Sequence, residues 1–310
     1  MKEYYKTELG TLYRGDCLEV MDGLIKEGIK VDLILTDPPY QTTACDWDTL
    51  IPFNKHIITT KGRGKKTTPM YEEEWIVREL ETTDKSIHQC REEFEENCKE
   101  GMWDKLNKLI KPNGAIVLFG SEPFSSALRM SNIKKYKYDW IWDKVSVVGF
   151  ANAKKMPLYN IEKISVFYGK LPTYNPQGII KIKAQEKKNG STHKIKSGKG
   201  ESAINGGRFK DSYIQEYTNY PKQILTFPRE KGLHPTQKST KLMEYLIKTY
   251  TNENDLVLDF TSGSGTLAVA CENTNRRWIC IEKDTDDKGN ILGYCDITVD
   301  RLKGGGLTHE

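Results

Sequence analysis

Short apolar runs alternate along the chain with longer amphipathic stretches. Val31-Asp32-Leu33-Ile34-Leu35, Ala115-Ile116-Val117-Leu118-Phe119, Ile164-Ser165-Val166-Phe167, Leu256-Val257-Leu258 and Trp278-Ile279-Cys280-Ile281 are each bounded by turn residues. Near-continuous apolar runs of this length suit strands covered on both faces. Between them, Met102 to Ile110, Pro123 to Met130, Ser239 to Tyr250, Thr266 to Asn273 and Tyr294 to Leu302 read as helices. In Ser239–Tyr250, for example, Leu242, Tyr245, Leu246 and Tyr250 recur at helical spacing. This alternation predicts an α/β fold with a mostly parallel sheet, whose ligands bind beyond the carboxyl ends of the strands.

Two regions break the pattern. Residues 54–99 begin with the basic run Lys61-Gly62-Arg63-Gly64-Lys65-Lys66, then become acidic and helix-prone. Residues 172–231 mix Gly, Asn, Ser and Lys with isolated aromatics, and Lys187-Lys188-Asn189-Gly190-Ser191 reads as a turn or mobile loop. No internal repeat is visible.

Composition narrows the class. A chain of 310 residues supports one large or two modest domains with a buried core. No run reaches the roughly 18 apolar residues of a membrane span, and the start Met1-Lys2-Glu3-Tyr4-Tyr5 lacks a signal peptide's apolar stretch. The seven cysteines form no Cys-x-x-Cys pair. Cys17, Cys45, Cys271 and Cys280 read as structural thiols of a reducing compartment, and no metal site is expected. The net charge of +4 is segregated. Glutamates dominate from Glu72 to Glu100, and lysine and arginine from Lys181 to Lys231. The basic stretch suits either a polyanion or a solvated loop.

Asp37-Pro38-Pro39-Tyr40 follows directly on the Val31–Leu35 strand. The two prolines fix the backbone and remove two N–H donors, leaving carbonyl acceptors beside one carboxylate. A carboxylate and a rigid carbonyl can each accept one N–H of an amino group on a flat ring, with Tyr40 stacked on the ring face. The group's lone pair then faces an electrophile, and the acceptors favour the positive charge that develops. A plain rigid turn fits the same four residues.

A second constellation lies near the other end. Leu256 to Thr266, with Asp259, Phe260, Gly263, Ser264 and Gly265, reads as strand, glycine turn and helix start. Glycines permit close backbone approach, and a helix N-terminus favours a carboxylate such as that of a bound amino acid. Glu282, some 16 residues beyond Thr266, ends the next strand and is placed for ribose hydroxyls. Half of a dinucleotide fold is the competing reading, but the third glycine of Gly-x-Gly-x-x-Gly is missing. A glycine turn that serves only packing also fits.

Together these motifs resemble the β-type amino DNA methyltransferases of bacteria and phages (adenine-N6 and cytosine-N4), in which the catalytic motif precedes the cofactor motif. The resemblance rests on Leu12 to Leu18, Thr36 to Tyr40, Lys111 to Gly120, His234-Pro235-Thr236-Gln237-Lys238, and Asp259 to Thr266 with Glu282. It implies a Rossmann-like, S-adenosylmethionine-dependent methyltransferase fold with a mixed, mostly parallel sheet and circularly permuted motif order. The chain then divides into a catalytic half, 1–150, with an insertion at 54–99. A target-recognition region follows at 151–231 and a cofactor half at 232–310.

The implied site is equally specific. Asp37, Pro38, Pro39 and Tyr40 are the catalytic residues, and Asp37 also meets the cofactor. Asp259, Phe260, Gly263, Ser264, Gly265 and Thr266 hold the methionine part of S-adenosylmethionine, Glu282 its ribose, and Asp16 lies near adenine. Asp16 is expected on a strand that follows Glu282 in the sheet, although it opens the chain. His234, Pro235 and Thr236 close over the methionyl side, and Ser239, where relatives often have proline, changes only a helix start. Asp at the first catalytic position favours adenine N6 over cytosine N4, which is the alternative together with a non-catalytic DNA-binding relative that keeps the fold. Either target requires base flipping from duplex DNA, with Trp47 or Phe53 as a candidate wall. Lys154, Lys155, Lys194, Lys196 and Arg208 are the implied DNA contacts, with Asn152, Asn175 and Gln177 nearby. Double-stranded DNA is the expected partner, and a homodimer and a cognate restriction endonuclease are compatible with the family. The expected location is the cytoplasm of a bacterium or phage-infected host.

Overall fold

A computed structural model describes residues 2–40, 51–61, 66–188, 212–230, 237–286 and 288–304. The chain opens with β1 (Glu3–Lys6), β2 (Gly10–Arg14), α1 (Cys17–Lys26) and β3 (Val31–Thr36). The insertion supplies β4 (His56–Lys61), β5 (Lys66–Tyr71), α2 (Glu72–Thr82) and α3 (Ile87–Asn97). Next come α4 (Met102–Leu109), β6 (Ile110–Gly120), α5 (Phe124–Ser131), β7 (Tyr136–Val148) and β8 (Tyr159–Phe167). The remaining elements are β9 (Ile180–Lys188), β10 (Ser212–Thr218), β11 (Ile224–Thr226), α6 (Thr240–Tyr250), β12 (Leu256–Asp259), α7 (Thr266–Thr274), β13 (Arg277–Glu282) and α8 (Tyr294–Leu302).

Among the described residues, nine strands form one sheet in the order β1-β2-β13-β12-β3-β6-β8-β7-β11. The run β2-β13-β12-β3-β6 is parallel throughout, whereas β8 is antiparallel to both β6 and β7. Alternate residues of β3 serve opposite faces, as a doubly covered strand requires. Leu33 and Leu35 pack with Leu242 and Leu246 of α6 and Leu267 of α7. Ile34 packs with Val20, Met21 and Leu24 of α1, Leu106 of α4 and Leu128 of α5. From β12 the chain reaches β13 through α7 on one face, and from β3 it reaches β6 through α4 on the other. The crevice between the carboxyl ends of β12 and β3 is thus the topological switch point where open α/β sheets bind ligands.

The predicted strands and helices are present, and several elements had no sequence forecast. The insertion is a β4–β5 antiparallel pair followed by two helices. Its ends are tied together where His56 N donates to Lys99 O (3.0 Å) and Lys99 N to His56 O (2.8 Å). Residues 159–167, expected within the recognition region, are a central-sheet strand. The chain separates into two compact units, Met1–Asn175 with Gln223–Glu310, and Pro176–Lys222. The second contains the antiparallel pair β9–β10, so Lys187 and Lys188 belong to a strand rather than a loop. No helix among the described residues is long and apolar enough to cross a membrane.

Candidate active site

Parallel pairing brings four acidic positions to one edge of the sheet. Asp16 follows β2, Glu282 ends β13, Asp259 ends β12 and Asp37 follows β3. β2 does lie beside β13, although the two come from opposite ends of the sequence, and Arg14 is in register with Glu282. Gly15 N donates to Glu282 O (2.9 Å). Asp16 caps α1, accepting from Leu18 N (2.9 Å) and Glu19 N (3.3 Å).

The two motifs are joined by side-chain hydrogen bonds across the β12–β3 crevice. Thr36 Oγ1 donates to Asp259 Oδ1 (2.5 Å) and lies 2.7 Å from Thr261 Oγ1. Thr261 Oγ1 in turn donates to the Asp37 carbonyl (3.1 Å). That carbonyl therefore already accepts a bond within the protein. Burial raises the Asp259 pKa to about 7 against the bonds from Thr36 and Thr261, with the charges of Asp37 and Glu282 adding to the rise.

Gly263 and Gly265 have φ of 52° and 72°, the left-handed region that glycine adopts without steric penalty. A Cβ on Gly265 would lie 2.3 Å from Thr298 Cγ2. Gly263 N donates to Glu282 Oε2 (2.7 Å) and Asp284 N to Oε1 (3.1 Å), which orients the Glu282 carboxylate. Burial raises its pKa too. Arg301 of α8 braces the outside of the turn, donating to Ser264 O (2.7 Å) and Thr266 Oγ1 (3.0 Å). Phe260, Ser264 and Thr266 are buried, as is Ser262, whose hydroxyl has no hydrogen-bond partner among the described residues. A glycine cradle, an orphaned hydroxyl and two carboxylates of raised pKa fit a polar ligand with hydroxyl and ammonium groups.

At Asp37, both carboxylate oxygens have partners. Tyr40 OH donates to Oδ1, and the Lys238 ammonium donates to Oδ2. Lys238 also lies 3.4 Å from Glu162 Oε2, and Glu162 Oε1 accepts from Lys144 Nζ (3.0 Å). A chain of alternating charge, Asp37–Lys238–Glu162–Lys144, thus runs from the Asp37–Tyr40 motif into β8 and β7. Burial and the nearby Glu162 raise the Asp37 pKa, with Lys238 opposing. Burial also works against the Glu162 carboxylate, but Lys238 and Lys144 outweigh it and hold that pKa below the ordinary value. The Tyr40 ring packs on Phe124 at 4.9 Å.

Several expected residues fall elsewhere. Phe53 is buried against Phe124 at 5.6 Å, the core-packing alternative expected for at least one of Trp47 and Phe53. Asn175 donates to Lys248 O (3.1 Å) and Thr251 O (3.0 Å), so its amide serves the end of α6. Ser239 makes no side-chain cap; Glu230 instead accepts from Thr240 N at the start of α6 (2.7 Å). Lys154 and Lys155 are exposed just beyond the short 3-10 turn Phe150–Asn152. His234, Pro235, Thr236, Lys194, Lys196, Arg208 and Trp47 lie outside the described residues. Glu162, Lys144 and Arg301 had no place in the sequence reading, and Thr261 lay within the glycine-turn motif without a role of its own. Thr36 next to Asp37 and Thr261 two residues after Asp259 were the one local signal.

The sequence model of the DNA methylase family, N6/N4 type, matches residues 31–288, and the chain belongs to that family. The type II methyltransferase M.BamHI of Bacillus amyloliquefaciens is 23% identical over 98% of this chain, which spans only 59% of that relative's length. M1.MboII of Moraxella bovis is 25% identical, covering 88% of this chain and 91% of its own. Among solved structures, the M1.HpyAVI–SAM complex has a TM-score of 0.52 at 23% identity, covering 94% of this chain and 100% of that one. The cytosine-N4-specific PvuII DNA methyltransferase has a TM-score of 0.51 at 17% identity, covering 98% and 96%. These structures share the Rossmann-like fold with this chain.

Proposed function

We propose that this chain transfers a methyl group from S-adenosylmethionine to N6 of adenine within a specific duplex DNA sequence. The observation that carries this reading is the seating of Asp37-Pro38-Pro39-Tyr40 at the switch point, hydrogen-bonded to the Asp259–Thr261 turn of the neighbouring strand. S-adenosylmethionine supplies an electrophilic methyl group on a sulfonium. The Gly263–Gly265 turn and the start of α7 hold the carboxylate of its methionine part, Glu282 its ribose hydroxyls, and Asp16 lies near its adenine. His234, Pro235 and Thr236 close over the methionyl side.

The remaining work falls to Asp37 and its neighbours. The target base leaves the stack, because its amino group is unreachable inside a duplex. Its N–H donates to the Asp37 carboxylate in place of Tyr40 or Lys238, and a second N–H meets the Pro38 carbonyl. The nitrogen lone pair is thereby aimed outward, and the carboxylate favours the positive charge that develops as the N–C bond forms and the C–S bond breaks. One amino proton then leaves, and Asp37, its pKa already raised by burial, is placed to hold it.

Asp at the first catalytic position supports adenine. Cytosine N4 is the second reading, favoured by the likeness to the PvuII enzyme. Lys154, Lys155, Lys194, Lys196 and Arg208 are the proposed DNA contacts, and a homodimer and a restriction endonuclease of the same site are further partners compatible with this reading. Expression in a methylation-free bacterial host with base-resolved sequencing identifies both base and site. N6-methyladenine at one recurring sequence, lost in Asp37→Ala, is expected. Methylation that persists in Asp37→Ala overturns the catalytic assignment, and N4-methylcytosine establishes the second reading.

A further inference from the structure

The β7–β8 hairpin has a strained, apolar tip that its own core does not explain. The register shifts between Asp143, opposite Ile161, and Val148, opposite Tyr159, so β7 carries extra residues in a bulge. The bulge starts at Lys144, which is buried on Glu162. The next residue, Val145, has φ of 65°, a conformation that a β-branched side chain rarely adopts. Its backbone N–H is held by Asp143 Oδ1 at 3.0 Å, yet its side chain is 59% exposed. Beyond it, Val148, Phe150, Met156 and Tyr159 are also exposed, with Phe150 at 70%. Bulges next to active sites re-aim side chains, and strain that persists on a surface invites a functional reason.

Charge and position select the occupant. Residues 145–160 contain no acidic residue and include Lys154 and Lys155, so the apolar tip is flanked by cations that suit a polyanion. The base of the hairpin is tied to the catalytic carboxylate through Lys144–Glu162–Lys238–Asp37. Tyr159 lies three residues before Glu162, roughly 10 Å at strand spacing. The tip is thus carried by the same two strands whose base, at Lys144 and Glu162, contacts the lysine on Asp37. Apolar side chains that enter a DNA stack are an established means of unstacking it.

We propose that Phe150, presented by this bulged tip, is a wedge that enters the duplex at the target pair and fills the space left by the extruded base. The inference rests on the base-flipping methyltransferase reading above. Its test uses the full chain and two duplexes carrying the mapped site, one fully paired and one with an abasic position opposite the target. Phe150→Ala should slow single-turnover methylation about tenfold on paired DNA and return it to within about twofold of wild type on the abasic duplex, where extrusion is already easy. With 2-aminopurine at the target, the variant should also lose most of the fluorescence rise that marks extrusion. Phe150→Leu should keep both properties, and the melting temperature of Phe150→Ala should be unchanged. A wild-type rate on paired DNA, or an equal loss on both duplexes, overturns the wedge while leaving the methyltransferase reading intact. Absence of methylation by the wild-type protein removes that reading and the wedge with it.

Discussion

Replacing Lys238 with methionine keeps the aliphatic stem and removes the ammonium that sits between Asp37 and Glu162. Removing one partner of a buried ion pair costs about 3–5 kcal/mol, because the remaining charge stays buried. Here Glu162 keeps Lys144 at 3.0 Å and Asp37 keeps the Tyr40 hydroxyl, which places the loss near the lower end, about 3 kcal/mol. At roughly 2.1 cal/mol/K of unfolding entropy per residue, a chain of this length loses about 1.5 °C per kcal/mol, so the melting temperature should fall by about 5 °C. The fall should depend on pH. Burial already raises the Asp37 pKa, and without the lysine it rises further, so the folded variant takes up a proton that the unfolded chain has released. That uptake relieves the buried charge as pH falls, so the destabilisation should be larger at about pH 8 than at about pH 5.5. Thermal melts of wild type and Lys238→Met at both pH values test this. An unchanged melting temperature, or the same loss at both, refutes the idea that Lys238 neutralises a buried carboxylate pair.

Three further outcomes follow from the cofactor side. Asp259, raised by burial to about 7, holds a proton in the folded chain that the unfolded chain releases near pH 4, so its contribution to stability declines as pH rises between them. Asp259→Asn should flatten that decline, worth up to about 4 kcal/mol over roughly three pH units, and pH-dependent denaturant titration reads it directly. Arg301→Met removes the donors that brace Ser264 O and Thr266 Oγ1; it should weaken S-adenosylmethionine binding about tenfold by calorimetry, or about 1.4 kcal/mol, with Arg301→Lys intermediate. Gly265→Ala places a Cβ against Thr298 at a positive φ and should lower stability by about 2 kcal/mol in chemical denaturation; a neutral result would mean that the turn can relax.

The central sheet was legible because its parallel strands are covered on both faces and therefore appear as unbroken apolar runs. β7 was less visible. Tyr136, Tyr138, Trp140 and Trp142 alternate with Lys137, Asp139, Ile141 and Asp143, a period-two pattern that mixes large polar-tipped rings with charges and lacks an aliphatic run. β9 and β10 were hidden for another reason: β9 is lysine-rich and β10 mostly polar, and neither carries an apolar run long enough to distinguish a strand from a loop. At the site, Asp37, Asp259 and Glu282 were visible because each ends a readable strand. The Lys238 contact was not, since it joins residues 201 positions apart, and its extension to Glu162 depends on β8 running antiparallel to β6. Nor does any local pattern separate an asparagine that closes a helix end, such as Asn175, from one free to meet DNA.

The strand order also governs how the protein is made. β3 leaves the ribosome early, but β12, its partner on one side, follows more than two hundred residues later. At roughly 5–20 residues per second, that edge of β3 waits about 10 to 40 s for its neighbour. Its apolar residues meanwhile form an open template for wrong pairing, the hazard of any bare strand edge. The same delay means that the Asp259–Thr261 bonds to Thr36 and Asp37 are absent from every shorter nascent chain. A newly made molecule thus has no assembled crevice until its cofactor-side strands have been synthesised.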